Sequence, residues 1–186
     1  RSKRIPVVLL TEIFRQARQS AIVRNAHAIN GGAVPNLASN QGDFFFLRRR
    51  SEDAVLSTIV ELCQTRLPKN MGIEAGQIQV LSPTRKGAAG TFALNRALQE
   101  ALNPARPGKR EKAFGNTVFR EGDRVMQIKN DYDILWQKAG GAVGTGVFNG
   151  DVGTVTEIDP SGELLTVLFD DRTASYTAEM LGELEL

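Results

Sequence analysis

The sequence predicts an α/β fold for residues 1–116, a doubly wound parallel sheet with helices on both faces, and a small antiparallel β-barrel for residues 117–186. Strand-like and helix-like patterns alternate three times before residue 104, which is typical of a doubly wound sheet. Short strand patterns joined by tight turns follow residue 116, which favours a small barrel. The intervening segment PARPGKREKAFGN, residues 104–116, is basic and contains Pro and Gly, so we expect the domain boundary there.

The first strand and helix are predicted within residues 5–32. IPVVLL, residues 5–10, is a continuous apolar run of strand length, as expected for a strand buried on both faces. Ser20 is placed to cap a helix that Gly31 and Gly32 end. Three apolar residues share one face of this helix: Ile22, Ala26 and Ile29.

The second strand and helix follow the same order. DFFFL, residues 43–47, predicts a strand. Ser51 then begins a helix whose first turn carries acidic residues at the positive end of the helix dipole. We expect this helix to end at Leu67 and Pro68, because proline disfavours a helical residue before it. Its apolar residues are Val55, Leu56, Ile59, Val60 and Leu62.

The third strand and helix complete the predicted sheet. QIQVLS, residues 77–82, predicts the strand. The helix that follows ends at Asn103 and Pro104. Its apolar residues recur at helical spacing: Leu94, Ala97, Leu98, Ala101 and Leu102.

The barrel is predicted from four strand patterns and one turn. DPSG, residues 159–162, is a turn sequence between two of these strands. The strand patterns are RVMQIK (124–129), VFNGDVGTVTEI (147–158), LLTVLF (164–169) and TASYT (173–177).

The composition is that of a globular protein and not of a membrane-spanning one. The chain has 186 residues, of which 41% are hydrophobic, and no apolar run approaches the roughly 20 residues that a membrane-spanning helix needs. We therefore expect a globular, cytoplasmic protein. The single cysteine, Cys63, lies on the apolar side of a helical pattern and is expected in the core. Because the chain starts at Arg1 without methionine, we expect a fragment of a longer protein.

Charge is distributed unevenly along the chain. Of the 23 Lys and Arg, 22 precede residue 150, whereas nine of the 21 Asp and Glu follow it, so residues 1–149 carry +10 and residues 150–186 carry −8. A basic segment attracts phosphate backbones by counterion release. Two solvated faces of opposite charge are the alternative.

Several catalytic sites are excluded or disfavoured. The phosphate-loop pattern GxxxxGK[ST] is absent, because Gly108 and Lys109 are preceded by Asn103 at the first glycine position. GTGVFNG, residues 144–150, imitates a dinucleotide fingerprint but leads into a strand, so a bulged hairpin is the better interpretation. His27 is the only histidine and lies mid-helix, which argues against zinc coordination and against a histidine-activated nucleophile.

The segment SPTRKGAAGT, residues 82–91, is the first candidate site. It follows a predicted parallel strand, at the sheet edge where α/β proteins bind ligands, and it precedes a helix whose first N–H groups we expect to be free. Thr84 offers a hydroxyl, and Arg85 and Lys86 pair with phosphate. Gly87 allows a close approach of the backbone.

Arg15 and Gln16 form the second candidate site. They follow the first predicted strand, so a parallel sheet would place them at the same edge as Thr84. A guanidinium there would stabilise charge on a transferring phosphoryl group. The alternative is a surface ion pair between Arg15 and Glu12.

Asn130, Tyr132 and Asn149 form the third candidate site. They lie at predicted turns of the barrel, with Lys129 nearby. An aromatic ring and amides would stack on and hydrogen-bond unpaired bases. Turn chemistry alone also explains Asn149 before Gly150.

Four blocks of this sequence closely resemble the second motor domain of RecD-like helicases of superfamily one, a family that includes the alpha subunit of exodeoxyribonuclease V. The blocks are LTEIFRQARQSAIVRNAHAIN, VLSPTRKGAAGTFALNRALQEALNP, FREGDRVMQIKNDYD and VFNGDVGTV. The resemblance implies a partial RecA-like lobe with an inserted barrel of the Src-homology-three type, moving 5′ to 3′ along single-stranded DNA.

The resemblance also assigns roles to residues. It implies that Arg15, with Gln16 beside it, contacts ATP from the second lobe, that the barrel signature includes Asn130, Tyr132 and Asn149, and that the parent binds ATP and Mg²⁺. It does not directly match Thr84, Arg85 and Lys86 to a catalytic position, so DNA contact there is an inference.

The first motor lobe and its phosphate loop are missing from the chain. We therefore expect this fragment to bind no cofactor and to hydrolyse no ATP alone. Two alternatives remain, a nucleic-acid-binding module without motor ancestry and an interaction domain that contacts other subunits of a nuclease complex.

Overall fold

The computed structural model describes residues 20–38 and 42–186. These residues divide between two compact units, with residues 20–38 and 42–49 in the first and residues 50–186 in the second. The first predicted strand, residues 5–10, lies outside the described part of the chain.

The first unit contains helix α1, Ala21–Asn30. Its start confirms the predicted cap, since the Ser20 hydroxyl accepts a hydrogen bond from the Val23 N–H at 3.3 Å. Gly31 follows the helix and donates to the His27 carbonyl at 2.9 Å, which confirms the predicted end. The apolar side chains Ile22 and Ile29 remain exposed.

Asp43 has a different role from the predicted one. Instead of starting a strand, its carboxylate accepts hydrogen bonds from the N–H groups of Ala21, at 2.7 Å, and Ile22, at 3.3 Å. The Ser20 hydroxyl and these N–H groups lower the pKa of Asp43. Residues 44–49 form no strand within the described residues, so the predicted strand at 43–47 is wrong.

The second unit begins with a continuous helical segment, Glu52 to Met71. It consists of α2 (Glu52–Glu61), a π-helical turn (Leu62–Arg66) and α3 (Leu67–Met71). The predicted end at Pro68 is wrong, because the π-turn before Pro68 widens the helix where the proline ring would clash with a preceding carbonyl. Gly72, in the left-handed conformation, ends the segment. Cys63 is buried, as predicted.

Helix α4, Thr91–Leu102, confirms the third predicted helix, with Asn103 as its C-cap. It packs against the π-helical turn, where the Gln64 amide donates to the Ala101 carbonyl at 2.9 Å. The strand predicted at residues 77–82 is absent, since Gln77 ends a 3-10 turn, residues 78–82 have no ladder partner among the described residues, and Leu81 is 87% exposed.

All strand pairs within the described residues are antiparallel, and a parallel RecA-like sheet is not formed there. A strand is stabilised by hydrogen bonds to neighbouring strands, so an apolar run alone does not create one. This is the physical reason why residues 43–47 and 77–82 failed as strand predictions.

The β-rich part begins with a hairpin of β1 (Glu111–Phe114) and β2 (Thr117–Arg120). Its two-residue turn contains Asn116, the last residue of the predicted first domain.

A curled antiparallel sheet of seven strands follows, in the order β5-β4-β8-β7-β6-β3-β9. Its strands are β3 (Arg124–Gln127), β4 (Asp131–Lys138), β5 (Val143–Val147), β6 (Val152–Ile158), β7 (Leu164–Phe169), β8 (Arg172–Thr177) and β9 (Leu184–Glu185). This architecture is consistent with an SH3-like domain and confirms the predicted small antiparallel fold. The DPSG turn is also confirmed, since the Gly162 N–H donates to the Asp159 carbonyl at 2.9 Å.

The core lies inside the curled sheet. Inward-facing residues alternate with exposed ones along β7, where Leu165, Val167 and Phe169 are buried. Two buried polar side chains are paired, since the Tyr176 hydroxyl donates to the Gln127 amide oxygen at 2.9 Å. Burial of apolar surface on this face is the main stabilising term for the domain.

No helix within residues 20–38 and 42–186 is long and apolar enough to span a membrane.

Candidate nucleic-acid interface

The loop between residues 82 and 90 is held by its own hydrogen bonds. The Ser82 hydroxyl donates to the Ala89 carbonyl at 2.8 Å, and the Thr84 hydroxyl donates to the Lys86 carbonyl at 3.3 Å. The Thr91 N–H donates to the Thr84 carbonyl at 3.0 Å. Since the next N–H, of Phe92, also has a carbonyl partner, the expectation that the first N–H groups of α4 are free is wrong for these two residues.

A carboxylate occupies the position where we expected a phosphate. Glu52, the first residue of α2, accepts a hydrogen bond from the Ala88 N–H at 2.8 Å. Gly87 has φ +89°, and an added Cβ would lie 2.9 Å from a Glu52 carboxylate oxygen. Glu52 and groups within the loop thus already accept hydrogen bonds from several of its backbone N–H groups, so the exposed side chains of Arg85 and Lys86 are the better candidates for contact with a ligand.

Arg85 lies between an aromatic ring and a carboxylate. Its guanidinium carbon is 5.5 Å from the centre of the Phe92 ring, and its Nη2 is 3.7 Å from a Glu185 oxygen on β9. Lys86 and Arg96 are exposed, and their side chains form no ion pair with other described residues. Arg85 therefore lies over one exposed aromatic ring, and Lys86 and Arg96 are exposed cations close to Phe92 in sequence.

The barrel brings together the three residues of the third candidate site. The Asn130 side-chain oxygen accepts from the Asn149 N–H at 2.9 Å, and the Asn130 amide lies 3.5 Å from the Tyr132 hydroxyl. The Tyr132 ring packs edge-on against Phe148, with ring centres 5.5 Å apart, and is 66% exposed. The cluster thus presents an aromatic ring to solvent, next to Lys129.

Asn130 also has a structural role. Its side chain fixes the turn at Asn149, which the Phe148 N–H reinforces by donating to the Asp151 carboxylate at 3.0 Å. Turn chemistry therefore accounts for Asn130 and Asn149, whereas nothing in the turn requires Tyr132 to be exposed. Tyr132 is the member of this cluster that is best placed for contact with a ligand.

Arg15 and Gln16 lie outside the described residues. Their convergence with Thr84 at one sheet edge stays a prediction.

Sequence reasoning missed a buried polar cluster between α4 and the barrel. Asp123 is 3% exposed, and its carboxylate accepts from Gln99 Nε2 at 2.6 Å, Asn103 Nδ2 at 2.7 Å and the Arg120 N–H at 2.7 Å. Burial raises the pKa of Asp123, while these donors oppose the rise. Arg120, also buried, pairs with Glu111 and donates to the Asn103 carbonyl at 2.6 Å. The cluster fixes the barrel to α4.

Two further aromatic residues were missed, although the sequence carries a signal for each. Phe92 lies two residues before Leu94, which turns it away from the buried face of α4 at 100° per residue. Phe114 precedes Gly115 and Asn116, a Gly-Asn pair that is typical of two-residue hairpin turns. Phe92 is 58% exposed and Phe114 is 38% exposed, so both rings are accessible.

Metal ligation has no support within the described residues, which contain no group of three or more His, Cys, Asp or Glu side chains that could hold an ion.

Comparison with known proteins connects these features to a family. Residues 94–169 match the model of the ATP-dependent RecD-like DNA helicase SH3 domain. The chain is also 30% identical over 181 residues to the ATP-dependent RecD2 DNA helicase of Deinococcus radiodurans, an alignment that covers 97% of this chain. The chain spans only 22% of the length of that relative. Together with the curled antiparallel sheet, these similarities relate the chain to RecD-like helicases, most directly residues 94–169 to their SH3 domain.

Proposed function

We propose that this chain is part of an ATP-dependent DNA helicase of superfamily one that moves 5′ to 3′ along single-stranded DNA. The observation that carries the proposal is the match of residues 94–169 to an SH3 domain of RecD-like helicases. In this proposal residues 1–116 belong to a RecA-like second motor lobe, and residues 117–186 form the inserted barrel and the start of the return to that lobe.

Two surfaces contribute to the single-stranded DNA track. Arg85 and Lys86 are exposed cations that would pair with phosphates, next to Thr84 and Gly87. Tyr132 would stack on a base, supported by Asn130 and Asn149. Residues 50–116 contain ten Lys and Arg against six Asp and Glu, whereas residues 117–186 contain five against 13. Phosphate contact is therefore favoured at the loop, and base contact at the barrel.

The ATP site is shared with the rest of the longer protein. Arg15 would contact the terminal phosphate, with Gln16 beside it, and the other lobe would supply the phosphate loop and the Mg²⁺ ligands. Since GxxxxGK[ST] is absent from this sequence, the chain alone would hydrolyse no ATP.

Arg15→Ala in the longer protein tests this assignment. We expect DNA-stimulated ATP turnover to fall by about a thousandfold or more, because an arginine finger stabilises transition-state charge. The affinity for single-stranded DNA, measured by fluorescence anisotropy, should be unchanged. An equal loss of turnover and DNA affinity would contradict the proposed role.

The proposed helicase activity is tested by measuring how fast the longer protein unwinds a DNA duplex with a 5′ overhang and one with a 3′ overhang. We expect unwinding of the duplex with the 5′ overhang. If the longer protein does not unwind the duplex with the 5′ overhang, the proposed 5′ to 3′ helicase is contradicted. Steady DNA-stimulated ATP turnover by the 186-residue chain would contradict the proposal that the chain alone hydrolyses no ATP.

A second candidate role is contact with other subunits of a nuclease–helicase complex. The excess of acidic residues in the barrel favours it, because such a surface repels phosphate and attracts basic protein. Charge reversal at Arg85 and Lys86 distinguishes the roles. Unchanged DNA affinity with loss of a protein partner would favour the interaction domain.

A further inference from the structure

A groove runs between the start of α4 and the β1–β2 hairpin. It has a volume of about 900 Å³, within the range typical of ligand sites, and is lined by Lys86, Phe92, Arg96, Phe114 and Glu185 among others. We propose that this groove holds an unpaired segment of DNA, with bases stacked on Phe92 and Phe114, and that Glu185 limits its affinity by competing for Arg85. The inference rests on the proposed function and adds a base contact to those at the loop and at Tyr132.

The aromatic residues supply the stacking surfaces. Phe92 and Phe114 are exposed large apolar side chains that both line the groove. The Phe114 ring is supported from one side, because a Cβ added at Gly182 would lie 3.6 Å from its atoms. Stacking on an aromatic side chain contributes to binding of any unpaired base, since every base has a π-face.

The cations supply the charge complementarity that selects a polyanion. Arg96 follows Phe92 by four residues, so the two lie on the same side of α4, and Lys86 lines the same groove. Neither cation forms an ion pair with another described residue. Phosphates between the stacked bases would therefore meet uncompensated positive charge.

The carboxylates of the groove differ in their partners. Glu100 and Glu111 pair with the buried Arg120 guanidinium. Glu185 is fixed by the pairing of β9 with β3 and lies 3.7 Å from Arg85. A phosphate that binds Arg85 must displace this carboxylate, so Glu185 should weaken DNA binding, whereas the two aromatic residues should strengthen it.

The test measures binding of a fluorescently labelled oligothymidylate to the 186-residue chain by anisotropy at fixed salt. Phe92→Ala and Phe114→Ala should each weaken binding about 5- to 150-fold, the effect of losing one stacked base. Leu164→Ala, which truncates an exposed side chain outside the groove, is the matched control and should leave affinity unchanged.

Glu185→Gln should tighten binding by about two- to fivefold, as expected for a partly exposed ion pair. In the Arg85→Ala background this gain should shrink. If the gain is undiminished in that background, Glu185 acts only by repelling the DNA phosphates, and the proposed competition between Glu185 and phosphate for Arg85 is overturned.

Photocrosslinking of a bromodeoxyuridine oligonucleotide to the unaltered chain locates the base contact without a variant. Crosslinks to the peptides that contain Phe92 and Phe114 are expected. Crosslinks confined to Tyr132, with no effect of the two Phe substitutions, would overturn the groove and leave the proposed function intact. Failure of both the chain and the longer protein to bind DNA would overturn the proposed function.

Heparin, a polyanion without bases, separates stacking from charge. Its affinity should be unaffected by the Phe substitutions, and an equal loss for heparin and DNA would overturn the stacking.

Discussion

Asp123 shows how one buried carboxylate joins a helix to a β domain. Desolvation of a carboxylate is costly, so the group is tolerated in the core only because α4 and β2 supply three donors. Removal of Asp123 would leave the Arg120 N–H without an acceptor, and the Gln99 and Asn103 amides would each keep only their second acceptor, the Val118 and Glu121 carbonyls. The hydrogen bonds to Asp123 therefore hold α4 and β2 together, and removal of its carboxylate should destabilise the fold.

Asp123→Ala is expected to lower the free energy of unfolding by about 3–5 kcal/mol, the typical effect of removing one partner from a buried charged network. Chemical denaturation followed by circular dichroism measures it. Asp133→Ala, at an exposed position on β4, is the control and should change little. Equal effects of the two substitutions would show that the network contributes no more than surface charge.

Glu121 gives the barrel a defined dependence on pH. Its carboxylate accepts hydrogen bonds from the Ile158 and Arg110 N–H groups, both at 3.1 Å, and these bonds lower its pKa. A carboxyl whose pKa is lower in the folded state stabilises the fold above its unfolded pKa and loses this contribution as the pH falls through its folded pKa.

We therefore expect Glu121→Gln to flatten the loss of stability below about pH 4, near the ordinary pKa of glutamate. Thermal denaturation at a series of acid pH values would measure the change. Glu163→Gln is the control, since its carboxylate lies on an exposed turn. An unchanged pH profile for the Glu121 variant would mean that its hydrogen bonds form equally with the protonated group.

At the scale of elements, the loop before α4 depends on the absence of a side chain at residue 90. A Cβ at Gly90 would lie 2.5 Å from the Lys86 carbonyl oxygen and 2.7 Å from Arg85 backbone atoms. These neighbours are backbone atoms, so they cannot move aside without opening the loop.

Gly90→Ala should destabilise the chain by about 1–3 kcal/mol, in the range of overpacked sites, and weaken DNA binding through displacement of Arg85 and Lys86. Gly76→Ala is the matched control, because no heavy atom lies within 4 Å of its added Cβ. Melting temperature and oligothymidylate anisotropy measure the two effects. A Gly90 variant as stable as the Gly76 variant would contradict the geometry of the loop.

Elements whose signals are local were predictable from the sequence. Helices α1 and α4 have caps and terminators within a few residues of their ends, and both were found where the pattern placed them. The runs 43–47 and 77–82 have strand composition, but a strand also needs hydrogen-bonding neighbours, and sequence does not reveal whether these are present. The outcome for these segments was therefore decided by tertiary context.

The grouping of the third set of candidate residues was predictable to a similar extent, whereas their role stays a prediction. Asn130, Tyr132 and Asn149 were identified from their turn signals, and the structure brings them together. Strand β4 was missed because its first residues belong to NDYD, residues 130–133, which has the composition of a turn. The strand includes these residues and continues through ILWQK. Glu52 and Glu185 could not be assigned to the loop, since they lie far from it in sequence and only the fold brings them close.

At the scale of the whole molecule, the distribution of charge decides how the chain meets a polyanion. Residues 50–116 carry an excess of four positive charges and residues 117–186 an excess of eight negative ones. Residues 117–186 repel phosphate at low salt, so the DNA affinity of the chain depends on few cations. Removal of any one of these cations should therefore change the salt dependence of the DNA affinity.

Lys86→Ala should reduce the slope of log K against log salt by about 0.7, the release expected for one phosphate contact with a single strand. Oligothymidylate binding between about 50 and 200 mM salt measures it. Lys69→Ala, an exposed lysine on α3, is the control and should leave the slope unchanged. An unchanged slope for Lys86→Ala would show that this ammonium group is only hydrated.

The cluster around Asp123 also has a mechanical consequence. Gln99 lies on α4, and Asn103 lies one turn later at its C-cap. Both amides donate hydrogen bonds to the Asp123 carboxylate, which directly precedes β3. Two attachment points prevent the barrel from swivelling about a single bond. Any tilt of α4 would thus tilt the curled sheet with it, and residues 104–110 would connect the two elements without acting as a hinge.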